Sequence, residues 1–261
     1  MTVESESLPG FDRFEHEGRV ALVRHDYADT MADLFFGPGI AHEVARQSGR
    51  GSVYTFDLAD GKGILRPYRR GGVLAKFRED RYWRSNRPLK ELIILEHAFR
   101  HALPVPQPLG VLWEKHGQSY TGAIATRFLP GVTLQDWAGA HTIEEETSTF
   151  LQCGRAIREM HNAGIYHADL RIRNIGVGDG HVHILDFDKS SRIDPFPDLP
   201  RARNMLRLRR SIEKNKLPAR YFDEIVTGYG GIDLPIALRA AYRAKSMMSD
   251  LGRLGRGANS L

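Results

Sequence analysis

His167-Ala168-Asp169-Leu170-Arg171-Ile172-Arg173-Asn174, followed seventeen residues after its aspartate by Ile184-Leu185-Asp186-Phe187-Asp188, is the stretch on which the reading of this chain turns. Moving a phosphoryl group from ATP to an alcohol requires a carboxylate beside the acceptor hydroxyl and oxygen ligands that hold Mg²⁺ against the phosphates. Asp169, Asn174 and Asp186 supply those residue types in that order. Asp169 is the candidate hydroxyl-orienting base, and Asn174 and Asp186 are the candidate Mg²⁺ ligands.

The order matches the protein-kinase pattern H-R-D-L-x-x-x-N followed by D-F-G, with two departures. Ala168 replaces the arginine that pairs with a phosphorylated activation loop, which implies an enzyme not switched on in that way. Asp188 replaces the glycine, which argues against an ordinary protein kinase and toward a non-protein acceptor.

Outward from this stretch the chain parses into two halves. Arg19–Arg24 can pair as a strand, after a polar segment 1–18 read as loose; residues 27–47 read as helical or mixed. Gly49-Arg-Gly51 then precedes an alternating run, as in a phosphate-covering hairpin, where the missing Cβ lets backbone N–H groups approach phosphate oxygens. A G-x-G hairpin tip is also common without any ligand. Arg66 and Lys76, on the next two runs, are alternative candidates for the cation that pairs with the phosphates. A helix entered at Asn86, with Pro88 in its first turn and Leu92, Leu95 and Phe99 on one face, carries Glu91. Glu91 either holds the phosphate-binding cation by an ion pair or serves the helix dipole.

Leu103–Leu109 with its three prolines is an extended connector, and 111–115 with 120–128 read as a hairpin. Leu129-Pro130-Gly131 ends a small β-rich N-terminal lobe, 19–130, with ATP expected in the cleft between it and a larger helical lobe, 131–251. The fold class is α+β. Thr142-Ile-Glu-Glu145 has capping-box spacing and opens a helix lined by Phe150, Cys153, Ile157 and Met160 and stopped at Gly164. Two short strands across Gly178-Asp-Gly180 bring Asn174 and Asp186 to one end of a hairpin. Residues 201–250 read as mostly helical and 252–261 as a flexible tail.

The single cysteine, Cys153, excludes an internal disulfide and fits a reducing compartment. The N-terminal residues hold no apolar stretch of the kind a secretory signal or anchor needs, and nowhere is there a run of about 18 apolar residues, so membrane contact is expected to be peripheral. The formal charge of +5 is unevenly placed: residues 201–220 carry eight Lys or Arg against Glu213 alone. Such a block favours an anionic surface, or forms a solvated helix face. Nucleic acid is disfavoured as a partner, since no aromatics interleave the charges; Tyr221 and Phe222 stand only at the edge.

With these residues quoted, the chain from about Ser48 to Ser190 resembles the Kdo/heptose lipopolysaccharide kinase family. The supports are Gly49-Arg-Gly51, Leu65-Arg66-x-Tyr68-Arg69-Arg70-Gly71-Gly72, Leu103-Pro-Val-Pro106, Tyr166-His-Ala-Asp-Leu170 with Asn174, and Leu185-Asp-Phe-Asp188. The resemblance implies a two-lobed protein-kinase-like fold and transfer of the ATP γ-phosphate to the 4-hydroxyl of a Kdo sugar on a lipid A precursor. It implies work at the cytoplasmic face of the inner membrane of a Gram-negative bacterium. It makes His167 the histidine that supports the catalytic loop and favours Arg66 over Lys76, an arginine being able to fork onto two phosphate oxygens. From the residues alone, a kinase of another small molecule or of protein, and a catalytically inert kinase fold used for binding, stay open.

Overall fold

The computed structural model describes residues 8–37, 42–44, 53–68, 82–83, 86–117, 119–236, 238 and 240. The chain divides into two compact units, 1–129 and 130–261. Gly49, Gly51 and Lys76, the run 69–77 and the tail 252–261 lie outside the described residues.

The first unit is an antiparallel sheet. Its strands are β1 (Phe11–His16), β2 (Arg19–Arg24), β3 (His42–Val44), β4 (Val53–Leu58), β5 (Gly61–Pro67), β6 (Tyr82–Trp83), β7 (Pro108–His116) and β8 (Ser119–Arg127), ordered β1-β2-β7-β8-β5-β4-β3 with β6 beside β8. Side chains alternate between its faces with the period of two that extended backbone imposes. Ala21, Val23, Leu109 and Ala125 meet Met31 and Phe35 of helix α1 (Ala28–Phe36) in one cluster. Leu22, Val111 and Trp113 meet Leu89 and Leu92 of helix α2 (Arg87–Arg100) in another. The segment 1–18 is not loose throughout, as its polar sequence suggested: residues 11–16 pair along β2, and buried Phe11 anchors them in the second cluster. Asn86 caps α2 by accepting from Leu89 N–H at 3.1 Å.

The second unit is built on α4 (Ile143–Asn162), whose capping box closes as its spacing predicted, with Thr142 Oγ accepting from Glu145 N–H and the Glu145 carboxylate accepting from Thr142 N–H. Before it come β9 (Val132–Thr133) and the single turn α3 (Leu134–Trp137); after it come β10 (Ile165–Tyr166), β11 (Ile175–Gly178), β12 (His181–Ile184), β13 (Ser191–Arg192), α5 (Asp198–Lys214) and α6 (Arg220–Tyr229). The Phe150 and Tyr221 rings stack 4.0 Å apart between α4 and α6. The two helices approach until backbone touches backbone: a Cβ on Gly154 would lie 2.1 Å from the Ile225 carbonyl oxygen, and one on Gly228 would lie 2.1 Å from that of Leu151. Among the described residues no helix is long and apolar enough to cross a membrane.

Glycine at 154 is therefore a packing requirement. Gly154→Val is expected to lower unfolding free energy by about 1–3 kcal/mol or more through overpacking, read as a fall in the urea midpoint; an unchanged midpoint would contradict the α4–α6 contact.

Candidate active site

Helix α2 carries two buried carboxylates, and their partners separate their roles. Glu96 is 2% exposed and accepts from Arg100 Nε one turn on at 2.8 Å and from Arg24 Nη2, whose guanidinium lies over the rings of Phe11 and Phe99. Those partners tie the helix to β2. Glu91 is 3% exposed and accepts at both oxygens from Arg66 Nη2, at 2.6 and 2.7 Å, and from the Tyr68 hydroxyl. A carboxylate so far from water is tolerable only when its lone pairs are taken up by donors in this way. Arg66 keeps about a third of its side chain exposed. The structure thus joins Arg66 and Glu91, and it adds Tyr68, which the motif contained but to which no role had been given.

In the second unit, the hairpin β11–β12 pairs Ile175 with Ile184, which sets Asn174 and Leu185 at its open end, and Leu185 N–H donates to the Asn174 carbonyl at 2.9 Å. Asn174 Nδ2 donates to the Asp169 carbonyl at 2.8 Å and reaches its Oδ2 at 3.4 Å. The nitrogen is thereby committed, and Oδ1 is the atom of that amide left for a cation. Asp186, the next residue after Leu185, has φ +62°, a left-handed conformation that aspartate adopts more readily than most side-chain-bearing residues. Asp169 and Asn174 are in direct contact, and Asp186 is coupled to Asn174 through the backbone of Leu185.

His167 underlies this arrangement and reaches no substrate-facing position: it is fully buried. Its Nδ1 accepts from Asp169 N–H at 3.2 Å, so Nε2 bears the proton donated to the Leu185 carbonyl at 3.0 Å. Its hydrogen bonds hold the backbone at Asp169 and at Leu185, the residue before Asp186. Burial lowers its pKa, favouring the neutral ring that these bonds require.

A layer beneath is formed by residues that the sequence reading passed over. Asn204 of α5, wholly buried, donates to the His167 carbonyl at 2.9 Å and accepts from His167 N–H at 3.2 Å. Its Oδ1 also accepts from His161 Nε2 at 3.1 Å, while His161 Nδ1 accepts from the Tyr229 hydroxyl at 2.9 Å. About two turns further along α5, Ser211 Oγ accepts from Ile172 N–H at 3.3 Å. Asn204 and Ser211 are polar positions seven apart within the apolar stripe Met205, Leu208, Ile212, and that spacing was the available signal. Arg171, two residues after Asp169, was also unassigned; its Nε and Nη2 donate to the two oxygens of Asp169 at 2.6 and 2.5 Å. A cavity of about 470 Å³ lined by Trp137, His141, Gln152 and Asp179, among others, includes none of the predicted site residues.

Burial pushes the pKa of His161 down to about 4, so the folded state holds it neutral. A depressed pKa gives stability that is complete above the unfolded value near 6.5 and is lost as pH falls through the folded value. Between about pH 6.5 and 4 the wild type is expected to lose about 1.4 kcal/mol per pH unit more than His161→Gln. Urea titrations at three pH values test this; parallel curves would refute it.

The family model for the "Lipopolysaccharide kinase (Kdo/WaaP) family" matches residues 41–229. A protein named 3-deoxy-D-manno-octulosonic acid kinase from Stenotrophomonas maltophilia (strain R551-3) is 34% identical over 205 residues, covering 76% of this chain and 81% of that one. One of the same name from Vibrio cholerae serotype O1 is 34% identical over 173 residues, covering 64% and 72%. Among solved structures, "WaaP in complex with acyl carrier protein" superposes with a TM-score of 0.54 at 15% identity, over 87% of this chain and 91% of that one, which establishes the α+β kinase-like fold. On the family match and these identities, the chain belongs to the lipopolysaccharide kinase (Kdo/WaaP) family and is a phosphotransferase.

Proposed function

We propose that the enzyme transfers the γ-phosphate of ATP to the 4-hydroxyl of a Kdo sugar on a lipid A precursor, working as a peripheral protein at the cytoplasmic face of the inner membrane. The observation that carries the chemistry is the linked set Asp169, Asn174 and Asp186 on a loop whose backbone is hydrogen-bonded from below. The names of the relatives support the acceptor. A kinase of some other acceptor, or an inert binding module, is not favoured by that membership.

The roles follow from donor and acceptor chemistry. Asp169, an acceptor-only group when ionised, takes the hydrogen bond of the acceptor hydroxyl and orients its oxygen for in-line attack. Arg171 grips both oxygens of Asp169, which fixes the carboxylate plane and leaves a guanidinium beside the site where phosphoryl charge develops. Asn174 Oδ1 and the Asp186 carboxylate are hard oxygen donors of the kind Mg²⁺ takes, two protein ligands being enough when phosphates and water complete the shell. Mg²⁺ would supply charge neutralisation of the phosphate oxygens. Arg66, steered by Glu91 and Tyr68, is the cation assigned to the ATP phosphates, while Gly49, Gly51 and Lys76 keep their sequence-based assignment to the nucleotide.

The acceptor assignment is tested by incubating the protein with ATP, Mg²⁺ and a Kdo-bearing lipid A precursor and recording the lipid's mass spectrum. One added phosphate on the Kdo portion is expected; an unmodified lipid with ATP consumed would discard the acceptor. Asp169→Asn should lower turnover by about 10²- to 10⁴-fold with ATP affinity within a fewfold of wild type. Unchanged turnover would remove Asp169 as the base.

Peripheral attachment is assigned to the outward cations of the basic segment. Arg203, Lys214 and Lys216 are exposed on this segment, and Arg201, Arg209 and Arg220 reach Tyr229, Glu213 and Glu146. Each cation near an anionic bilayer contributes about 1 kcal/mol, so reversing the charge of the three exposed ones is expected to weaken binding to phosphatidylglycerol-containing vesicles by more than tenfold in flotation. Equal binding would exclude this surface.

A further inference from the structure

We infer that Arg207 of α5 binds the carboxylate of the acceptor sugar acid, so that the enzyme selects acceptors carrying an anion close to the hydroxyl that is phosphorylated. The inference rests on the proposed sugar-acid acceptor and adds the residue that reads it.

Three observations converge on Arg207. The first is its place on the helix. Asn204 and Ser211 are the α5 residues that hold the catalytic-loop backbone, at His167 and Ile172. At about 100° per residue, Arg207 lies about 60° around α5 from Asn204 and about 40° from Ser211. It therefore flanks the line along which α5 supports the loop that carries Asp169.

The second is burial. Among the basic residues of this segment, Arg203, Lys214 and Lys216 are exposed, while Arg207 is half-buried, and its Nε is removed from solvent with no hydrogen-bond partner. Leaving a guanidinium N–H unpaired away from water is costly, and a bound water or anion is among the things that account for such a group. The third is that three other arginines of the segment are engaged internally: Arg201 by Asn162 and Tyr229, Arg209 by Glu213, Arg220 by Glu146 and Glu224; Arg210, the nearer neighbour, stands about 100° around the helix from Ser211, further from the residues that hold the loop. Structural pairing accounts for those charges and not for the buried Nε of Arg207.

The ligand class follows from chemistry. A guanidinium recognises planar carboxylate through paired N–H donors. In a 3-deoxy-2-ulosonic acid the carboxylate stands on the anomeric carbon, two ring carbons from the 4-hydroxyl. When that hydroxyl is against Asp169, the carboxylate is the nearest anion of the acceptor, whereas the phosphates of the lipid lie a sugar or more away.

The test uses the full chain with three acceptors: the Kdo-bearing lipid, the same lipid with the Kdo carboxylate converted to carboxamide, and the same lipid without its phosphates. For the wild type, the carboxamide is expected to raise the acceptor KM about tenfold to a hundredfold, the range of a charge-assisted pair. Arg207→Gln should raise the KM for the acid by a similar factor, scarcely distinguish acid from amide, and leave the KM for ATP within about twofold; Arg207→Lys should recover part of the loss. Because the amide arm needs only wild-type protein, instability of a variant does not spare the inference. Equal use of acid and amide by the wild type would overturn it while the phosphotransferase reading stands. So would an Arg207→Gln defect that vanishes on the dephosphorylated lipid, which would transfer Arg207 to the lipid phosphates. Failure to phosphorylate any of the three would remove the acceptor assignment and this inference with it.

Discussion

The amide of Asn204 closes a two-bond ring on the backbone of His167, donating to its carbonyl and accepting from its N–H. The position of every candidate catalytic group in the second unit descends from that ring. It fixes the peptide preceding Asp169; the imidazole of the same residue then fixes Asp169 N–H through Nδ1 and the Leu185 carbonyl through Nε2. One buried side chain of α5 thus sets the two loop segments that carry Asp169 and Asp186. Asn204 and His167 lie wholly away from water, so a hydrogen bond lost between them leaves a partner unsatisfied rather than resolvated. The network is consistent in its protons: His161 and His167 are each neutral with Nε2–H as donor, and the shifts caused by burial favour that state.

The contrast between Glu91 and Glu96 shows how far residue identity falls short of role. Both are acidic, buried and on α2, and both are paired with arginine. Glu96 meets Arg24, which is itself enclosed between Phe11 and Phe99, so the pair is sealed into the packing of helix on sheet. Glu91 meets an arginine that retains solvent exposure, and a tyrosine hydroxyl holds the carboxylate as well. A cation with one end anchored and its side chain partly open can serve a ligand; one stacked between two rings cannot.

What the sequence made legible was local or motif-borne. Thr142 with Glu145, Asn86 with Pro88, and the alternation on either side of Gly117 and of Gly178-Asp-Gly180 depend on neighbours within a few residues, and the structure realises each of them. The hairpin prediction for Asn174 and Asp186 succeeded for the same reason, since a tight turn between two short strands fixes which residues meet at the open end. Asn204 escaped because its partners lie 37 residues away, and a lone asparagine in a helix carries no label for a distant backbone. β1 escaped because segment 11–16 is polar apart from Phe11 and Phe14, and only pairing with β2 together with burial of Phe11 commits it to the sheet. The Arg171–Asp169 pair was legible in spacing but needed the loop's conformation to show that a residue two positions away folds back as a fork.

The basic segment carries the same lesson for electrostatics. Eight cations in twenty residues read as one positive surface, yet their surroundings divide them by fate. Arg201 lies over Phe196 and reaches Tyr229, the residue that completes the His161 network, so its charge is spent inside the unit. Arg220 satisfies Glu146, a buried carboxylate near the start of α4, and its removal would strand that anion rather than change a surface. Arg209 pairs one turn along with Glu213 and covers Phe222. The net charge of a segment is therefore an upper bound on what it offers to a partner. The usable fraction is the set of cations that folding leaves exposed, together with any, such as Arg207, that folding half-buries without satisfying every donor. An exposed cation interacts through screened, long-range attraction and suits a diffuse partner such as a bilayer. A half-buried one interacts at short range in lower dielectric and suits a single anion held in register, and in this enzyme Arg207 stands on the helix whose Asn204 and Ser211 hold the catalytic loop.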